Sequence, residues 1–177
     1  MKTHSAQQGV TLVELAVVVA ITAILASTAA PSLQGFIGTR RLEGAASQLA
    51  SDIQFVRTDA VARNRPVRIS FFTGGADSCY VIHTGAASQC NCNASGPAVC
   101  GGDAVQLKTV HLLSHHQVSV QANAASILFD PLHGTSSPTA TLRVVGQQGR
   151  AIHHVVNVMG RVRSCSPQAS MPGYRAC

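Results

Sequence analysis

At 177 residues the chain has room for one ordinary domain and an appendage, which excludes a multidomain machine. Only 11% of residues are charged and 4% aromatic, which fits a membrane-linked chain or a small head rich in alanine, serine and glycine. Lys and Arg outnumber Asp and Glu by 13 to 7. Asp130 is the last acid, and Arg143, Arg150, Arg161, Arg163 and Arg175 follow it, so the C-terminal quarter is purely cationic. That asymmetry points to an anionic partner or, more plainly, to a solvated strand face.

Residues 1–9, MKTHSAQQG, are polar and end in glycine. Residues 10–30 read VTLVELAVVVAITAILASTAA with Glu14 as their one charge, long enough as a helix to cross a hydrocarbon core. A secretory signal peptide would explain the small residues at 26–30 but not the early glutamate, since an ionisable group at that depth costs roughly 2.5–3.5 kcal/mol. A plain membrane anchor leaves Glu14 equally unexplained. A third reading gives the carboxylate a cationic partner inside the apolar layer, the condition under which a buried charge persists.

Past Pro31 the apolar residues Phe36, Leu42, Ala46, Leu49, Ile53, Val56 and Ala60 recur mostly at three- and four-residue steps, a helical stripe. Arg40, Arg41, Glu43, Asp52, Arg57 and Arg63 fall mostly off it. Asn64-Arg65-Pro66 ends the helix, because proline lacks the donor and constrains the residue before it. The spacing predicts one helix of about fifty residues, its first half in lipid or against sister helices and its second half covering a globular head.

After Pro66 the period changes to two, predicting strands at 67–71, 80–82, 105–113, 117–121, 126–129, 139–145 and 151–158, with a GGAD turn at 74–77 and a loop over 84–104. One long helix followed by many short strands predicts an α+β head, a helical spine on a mostly antiparallel sheet. Arg161 and Arg163, in GRVR, are expected on one face of a strand with Val162 on the other. Six cysteines in an oxidising compartment read as disulfides: Cys79, Cys90, Cys92 and Cys100 stapling the loop, Cys165 and Cys177 closing the tail. Fifteen pairings are possible, and Cys165–Cys177 is the one singled out. Cys90-Asn-Cys92 with His115-His116 or His153-His154 does not fit zinc spacing, and adjacent strand histidines face opposite ways, so no metal or other cofactor is expected. The histidines read as surface or strand-edge residues. No nucleophile, phosphate-loop or paired-acid arrangement is present, so the chain does not read as an enzyme.

GVTLVEL, with Gly9 before the apolar run, Glu14 five residues on and Pro31 further along, resembles the type III signal of type IV pilins and type II secretion pseudopilins. The resemblance implies a pilin fold, with a leader at 1–9, a membrane or filament-core helix at 10–30, an amphipathic continuation at 31–65 and a β-rich head at 66–177. It implies cleavage by a prepilin peptidase between Gly9 and Val10, methylation of the new N-terminus, and pairing of Glu14 with a neighbouring subunit's terminal amine. Pro31 stands where the family has its helix-kinking proline; Val10 departs from the family's phenylalanine. The implied location is the inner membrane, with the head in the periplasm or on the cell surface within a pilus.

The stretch from Ser126 to Cys165 is similar to the C-terminal half of the pseudopilin-H (GspH) and FimT minor-pilin group, and Gly160-Arg161-Val162-Arg163 matches its G-R-x-R ending. That resemblance implies sequence-independent binding of double-stranded DNA in natural transformation, through Gly160, Arg161 and Arg163, widened by Arg150, His153 or His154, and Arg175. Neighbouring guanidiniums can grip adjacent phosphates, while the lack of tryptophan leaves no stacking platform for single strands. The alternative is a structural minor pilin or pseudopilin that joins a filament or a type II secretion system without binding DNA.

Overall fold

The computed structural model describes residues 9–73, 77–93 and 96–177, without the side chains at 29–32. Most of the expected leader, the turn glycines at 74–75 and the side chain of Pro31 lie outside the described residues. Two compact units divide the chain, residues 1–37 and 38–177. Helix α1, Leu12–Ala62, begins in the first and ends in the second.

In the first unit, Thr11 caps the helix: the Glu14 amide donates to Thr11 Oγ1 at 3.2 Å, the first half of a Thr-x-x-Glu capping box. Glu14 thus sits in the first turn, where a carboxylate complements the positive end of the helix dipole. Apolar residues of this unit such as Leu12, Val13, Leu15, Ile24 and Leu25 are more than half exposed. By length and composition this stretch can cross a membrane. Phe36, predicted in the buried stripe, is 56% exposed and belongs to this unit.

In the second unit, the head, Leu42, Ala46, Leu49, Ile53, Val56 and Ala60 are all fully buried. The unit begins at Gly38 because helix residues supply one wall of its core. Asn64 stops the helix in the left-handed region (φ 48°), and the Arg65 amide reaches back to the Ala60 carbonyl at 3.1 Å, with Pro66 following. One acid expected off the stripe is buried: Asp52, bonded by Lys108 and Tyr80; Asp59, one turn before Arg63, is buried too and pairs with Arg63 and Arg65.

The strands are β1 (Val67–Phe72), β2 (Ser78–His83), β3 (Cys90–Asn91), β4 (Val99–Cys100), β5 (Gln106–Leu112), β6 (Ser119–Ala122), β7 (Ser126–Phe129), β8 (Ser136–Ser137), β9 (Ala140–Val145), β10 (Ala151–Val156) and β11 (Val162–Cys165). They form sheets in the orders β5-β2-β1-β7-β8 and β11-β10-β9-β6, with a small β3-β4 ribbon, and all strand pairs are antiparallel. The two larger sheets meet through the Val120 amide, which donates to Ser78 Oγ at 2.9 Å. Disulfides join Cys79 to Cys92, Cys90 to Cys100 and Cys165 to Cys177.

Two histidines are sealed in the head. His83 donates from Nδ1 to the Thr84 carbonyl and accepts from Ser70; His154 donates from Nε2 to the Ala46 carbonyl and accepts from Ser164. Burial disfavours the charged ring and pushes both pKa values below the ordinary histidine value. A depressed folded pKa gives stability that is complete above about pH 6.5 and lost as pH falls below it, by at most about 1.4 kcal/mol per pH unit per ring. The urea midpoint is therefore expected to hold from pH 8 to 7 and fall by pH 5.5; a midpoint that stays level over that range contradicts this.

Candidate functional site

The site is built on the β10–β11 hairpin. The Gly160 amide donates to the Asn157 carbonyl at 2.8 Å, the Arg161 amide donates to Asn157 Oδ1 at 2.9 Å, and Gly160 has φ 68°. This is a three-residue connection closed by a left-handed glycine, the form that lets a tight turn join two twisted strands. The hairpin register places Val162 opposite Val156 and Arg163 opposite Val155. Alternation then turns Val156 inward, where it is fully buried, and leaves Arg163 on the exposed face with Val155; Arg161, just before β11, is exposed as well. Side chains two apart on a strand stand about 6.7 Å from each other.

The tail adds a third guanidinium. Cys177 is bonded to Cys165, the Ser166 amide donates to the Arg175 carbonyl at 2.8 Å, and Ser166 bridges Ala176. Arg163 and Arg175 consequently line one cleft of about 300 Å³ with Val155, Ser164, Cys165, Ala176 and Cys177. One further arginine, missing from the sequence-based set, joins the same face: Arg143 on β9 is exposed and pairs in register with His153, which pairs with Cys165. No carboxylate side chain follows Asp130, and Arg143, Arg161, Arg163 and Arg175 make no ion pair among the described residues. Partial burial and the Arg143 charge lower the pKa of His153, so it adds charge only at more acidic pH than an ordinary histidine.

Three expected site residues have other surroundings. His154 is buried, 1% exposed, and bonded to the helix, so it joins no surface patch. Arg150 stands at the far end of β10, where Nη1 donates to Thr39 Oγ1 and Nε to the Gln147 carbonyl; about 23 Å of extended chain separates it from Asn157. Gly160 is buried rather than open to a phosphate: a Cβ there would lie 2.6 Å from the Gly134 carbonyl oxygen and 3.0 Å from the Arg57 side chain. Its role is to let the turn seat on the 130–134 loop. His115 and His116 lie side by side on the exposed 3-10 turn Ser114–His116, between the strands expected at 105–113 and 117–121.

The Cys165–Cys177 link closes a twelve-residue separation, which in loop-entropy terms contributes up to about 3 kcal/mol. Replacing both cysteines by serine is expected to lower the urea midpoint and to release Arg175 from the cleft, weakening anion binding several-fold; retained binding would show that Arg175 contributes nothing there.

A long helix with an apolar N-terminal stretch, its C-terminal part packed on antiparallel sheets, defines a type IV pilin-like protein. Residues 4–30 match the prokaryotic N-terminal methylation motif and residues 45–160 match the family described as type II transport protein GspH. The chain belongs to the GspH family. Its fold is similar to that of the type IV minor pilin FimU of Pseudomonas aeruginosa strain PAO1 in two crystal forms. In space group P21 the TM-score is 0.55 at 18% identity, covering 76% of this chain and 98% of that one. In P65 it is 0.52 at 18% identity, covering 72% and 98%. No curated protein gives a significant sequence match. Members are structural minor pilins or pseudopilins; family membership implies prepilin peptidase processing and assembly with other pilins.

Proposed function

We propose that this chain is a minor pilin that binds double-stranded DNA without sequence preference and supports DNA uptake in natural transformation. The observation that carries the reading is the convergence of exposed Arg161, Arg163 and Arg175 on one sheet edge, with Arg143 on the same face and no ion pair to any of them among the described residues. Guanidinium forks suit phosphate oxygens, and contacts to phosphate alone give binding that is weak, sequence-independent and salt-sensitive. In this reading Gly9–Val10 is the processing site, Glu14 meets a neighbouring subunit's terminal amine, Pro31 shapes the assembled helix, and the inner membrane holds the first unit in a single pass until assembly carries the head to the surface. A gel-shift of the head, residues 38–177, tests it: duplex DNA is retarded at roughly micromolar concentration, and Arg161→Gln with Arg163→Gln abolishes the shift. Equal retardation by the double variant removes the site.

The family description favours a second reading, a pseudopilin of type II transport. Arginines on the edge strand β11 would then only keep that open edge from pairing with another chain. Under this reading wild type and variant alike leave DNA unshifted, and the variant head self-associates.

A further inference from the structure

The tip of the same hairpin carries two residues that the fold does not use. Turns favour Gly, Pro, Asn, Asp and Ser, yet this turn reads Asn157-Val158-Met159-Gly160, with Val158 57% and Met159 50% exposed. The turn is pinned from behind. Ser136 Oγ donates to the Asn157 carbonyl at 2.6 Å, the Ser136 amide to the Val158 carbonyl at 2.9 Å, and Gly160 rests on Gly134 and Arg57. Two apolar side chains are thus held outward on a rigid support, next to Arg161 and two residues further from Arg163. Arg57 bonds the Gly134 carbonyl at 3.1 Å beneath them.

Position within the head selects the partner. Gly38, where the chain enters the head, lies beside Gln147 and Arg150, whereas Gly160 packs on Arg57. About 28 Å of helix separates Gly38 from Arg57, so the tip stands at the end of the head away from the entering chain. An apolar knob beside Arg161 and Arg163, which make no ion pair among the described residues, complements a polyanion that has apolar surface between two rows of charge.

Resting on the DNA-binding reading above, we propose that Val158 and Met159 enter the minor groove of duplex DNA as an apolar wedge, opening a base step while Arg161 and Arg163 hold the flanking phosphates. Insertion of small apolar side chains between base steps unstacks them and bends the duplex, and the gain from burying apolar surface does not depend on salt. The wedge would add base-step contact to a grip that phosphate contacts alone leave weak.

The experiment uses the full chain in zwitterionic-lipid nanodiscs with a 2-aminopurine-labelled duplex. Wild type is expected to raise the label's fluorescence on binding. Val158→Ser with Met159→Ser is expected to abolish that rise and weaken binding about tenfold while the salt slope stays unchanged. An unchanged urea midpoint shows that the double variant is folded. If this variant binds and fluoresces like wild type while Arg161→Gln with Arg163→Gln still abolishes binding, the wedge is wrong and the phosphate reading stands. If wild type does not bind the duplex, the underlying reading falls and the wedge with it. Binding to phosphatidylglycerol vesicles that needs Met159, without fluorescence change on DNA, would overturn the wedge in favour of a lipid surface.

Discussion

Replacing Gly160 by alanine is expected to lower the unfolding free energy by about 3 kcal/mol. A left-handed backbone costs an L-residue about 1–2 kcal/mol, and here the new Cβ also meets a backbone oxygen at 2.6 Å, which cannot move as a flexible side chain would. Gly149 supplies the control: its φ is 72° but nothing lies within 4 Å of its Cβ position, so Gly149→Ala should cost only the conformational part, about 1 kcal/mol. Urea unfolding of both variants measures the difference. Equal losses would mean that the turn is not seated on the Gly134 loop. Because the shifted turn carries Arg161 with it, Gly160→Ala should weaken DNA retardation as well, and Gly149→Ala should leave it intact.

The second large effect is expected at Asp52. This carboxylate is 4% exposed; Oδ1 accepts from Lys108 Nζ at 2.6 Å and from Gln48 at 3.1 Å, and Oδ2 accepts from the Tyr80 hydroxyl at 2.8 Å. Burial, followed by this bond to Asp52, pushes the Tyr80 hydroxyl well above its ordinary pKa, so it stays protonated and needs an acceptor. Asp52→Ala strands that hydroxyl and leaves the Lys108 ammonium without its partner. Breaking a buried pair costs about 3–5 kcal/mol, and the partial exposure of Lys108 places the loss near the lower end. Lys108→Ala leaves the buried Asp52 carboxylate without its cation, with only the bonds from Tyr80 and Gln48, so it too should cost about 2–3 kcal/mol. Urea denaturation of the two variants decides: a loss below about 1 kcal/mol for Asp52→Ala would show that solvent replaces the network.

Periodicity carried much of the fold into view. The stripe from Leu42 to Ala60 and seven strands are visible because burial forces a period of 3.6 in a helix and 2 in a strand. Asp52 is expected on the outer face and is buried, because its cationic partner Lys108 lies on a strand that pattern alone does not bring across to the helix. Of the site, Arg161 and Arg163 were legible, since i and i+2 on a strand share a face whatever the tertiary structure. Other members depend on strand order. Arg143 joins the face only because β9 and β10 pair, and His154 turns inward under the helix, whereas Arg175 is legible through the Cys165–Cys177 link that ties the tail to β11. The Gly160 contact is likewise tertiary: the glycine signals a turn in sequence, but the loop against which it packs lies about 26 positions earlier. The Thr11–Glu14 cap is legible in the sequence as Thr-x-x-Glu.

The decisive measurement is duplex-DNA affinity against salt concentration for wild type and for Arg161→Gln, Arg163→Gln and Arg175→Gln, alone and combined. Three phosphate contacts give a log–log slope of about −2.7, each single replacement should flatten it by about 0.9, and the triple variant should not bind the duplex measurably. A triple variant with the slope and affinity of wild type would mean that this sheet edge does not touch the phosphates.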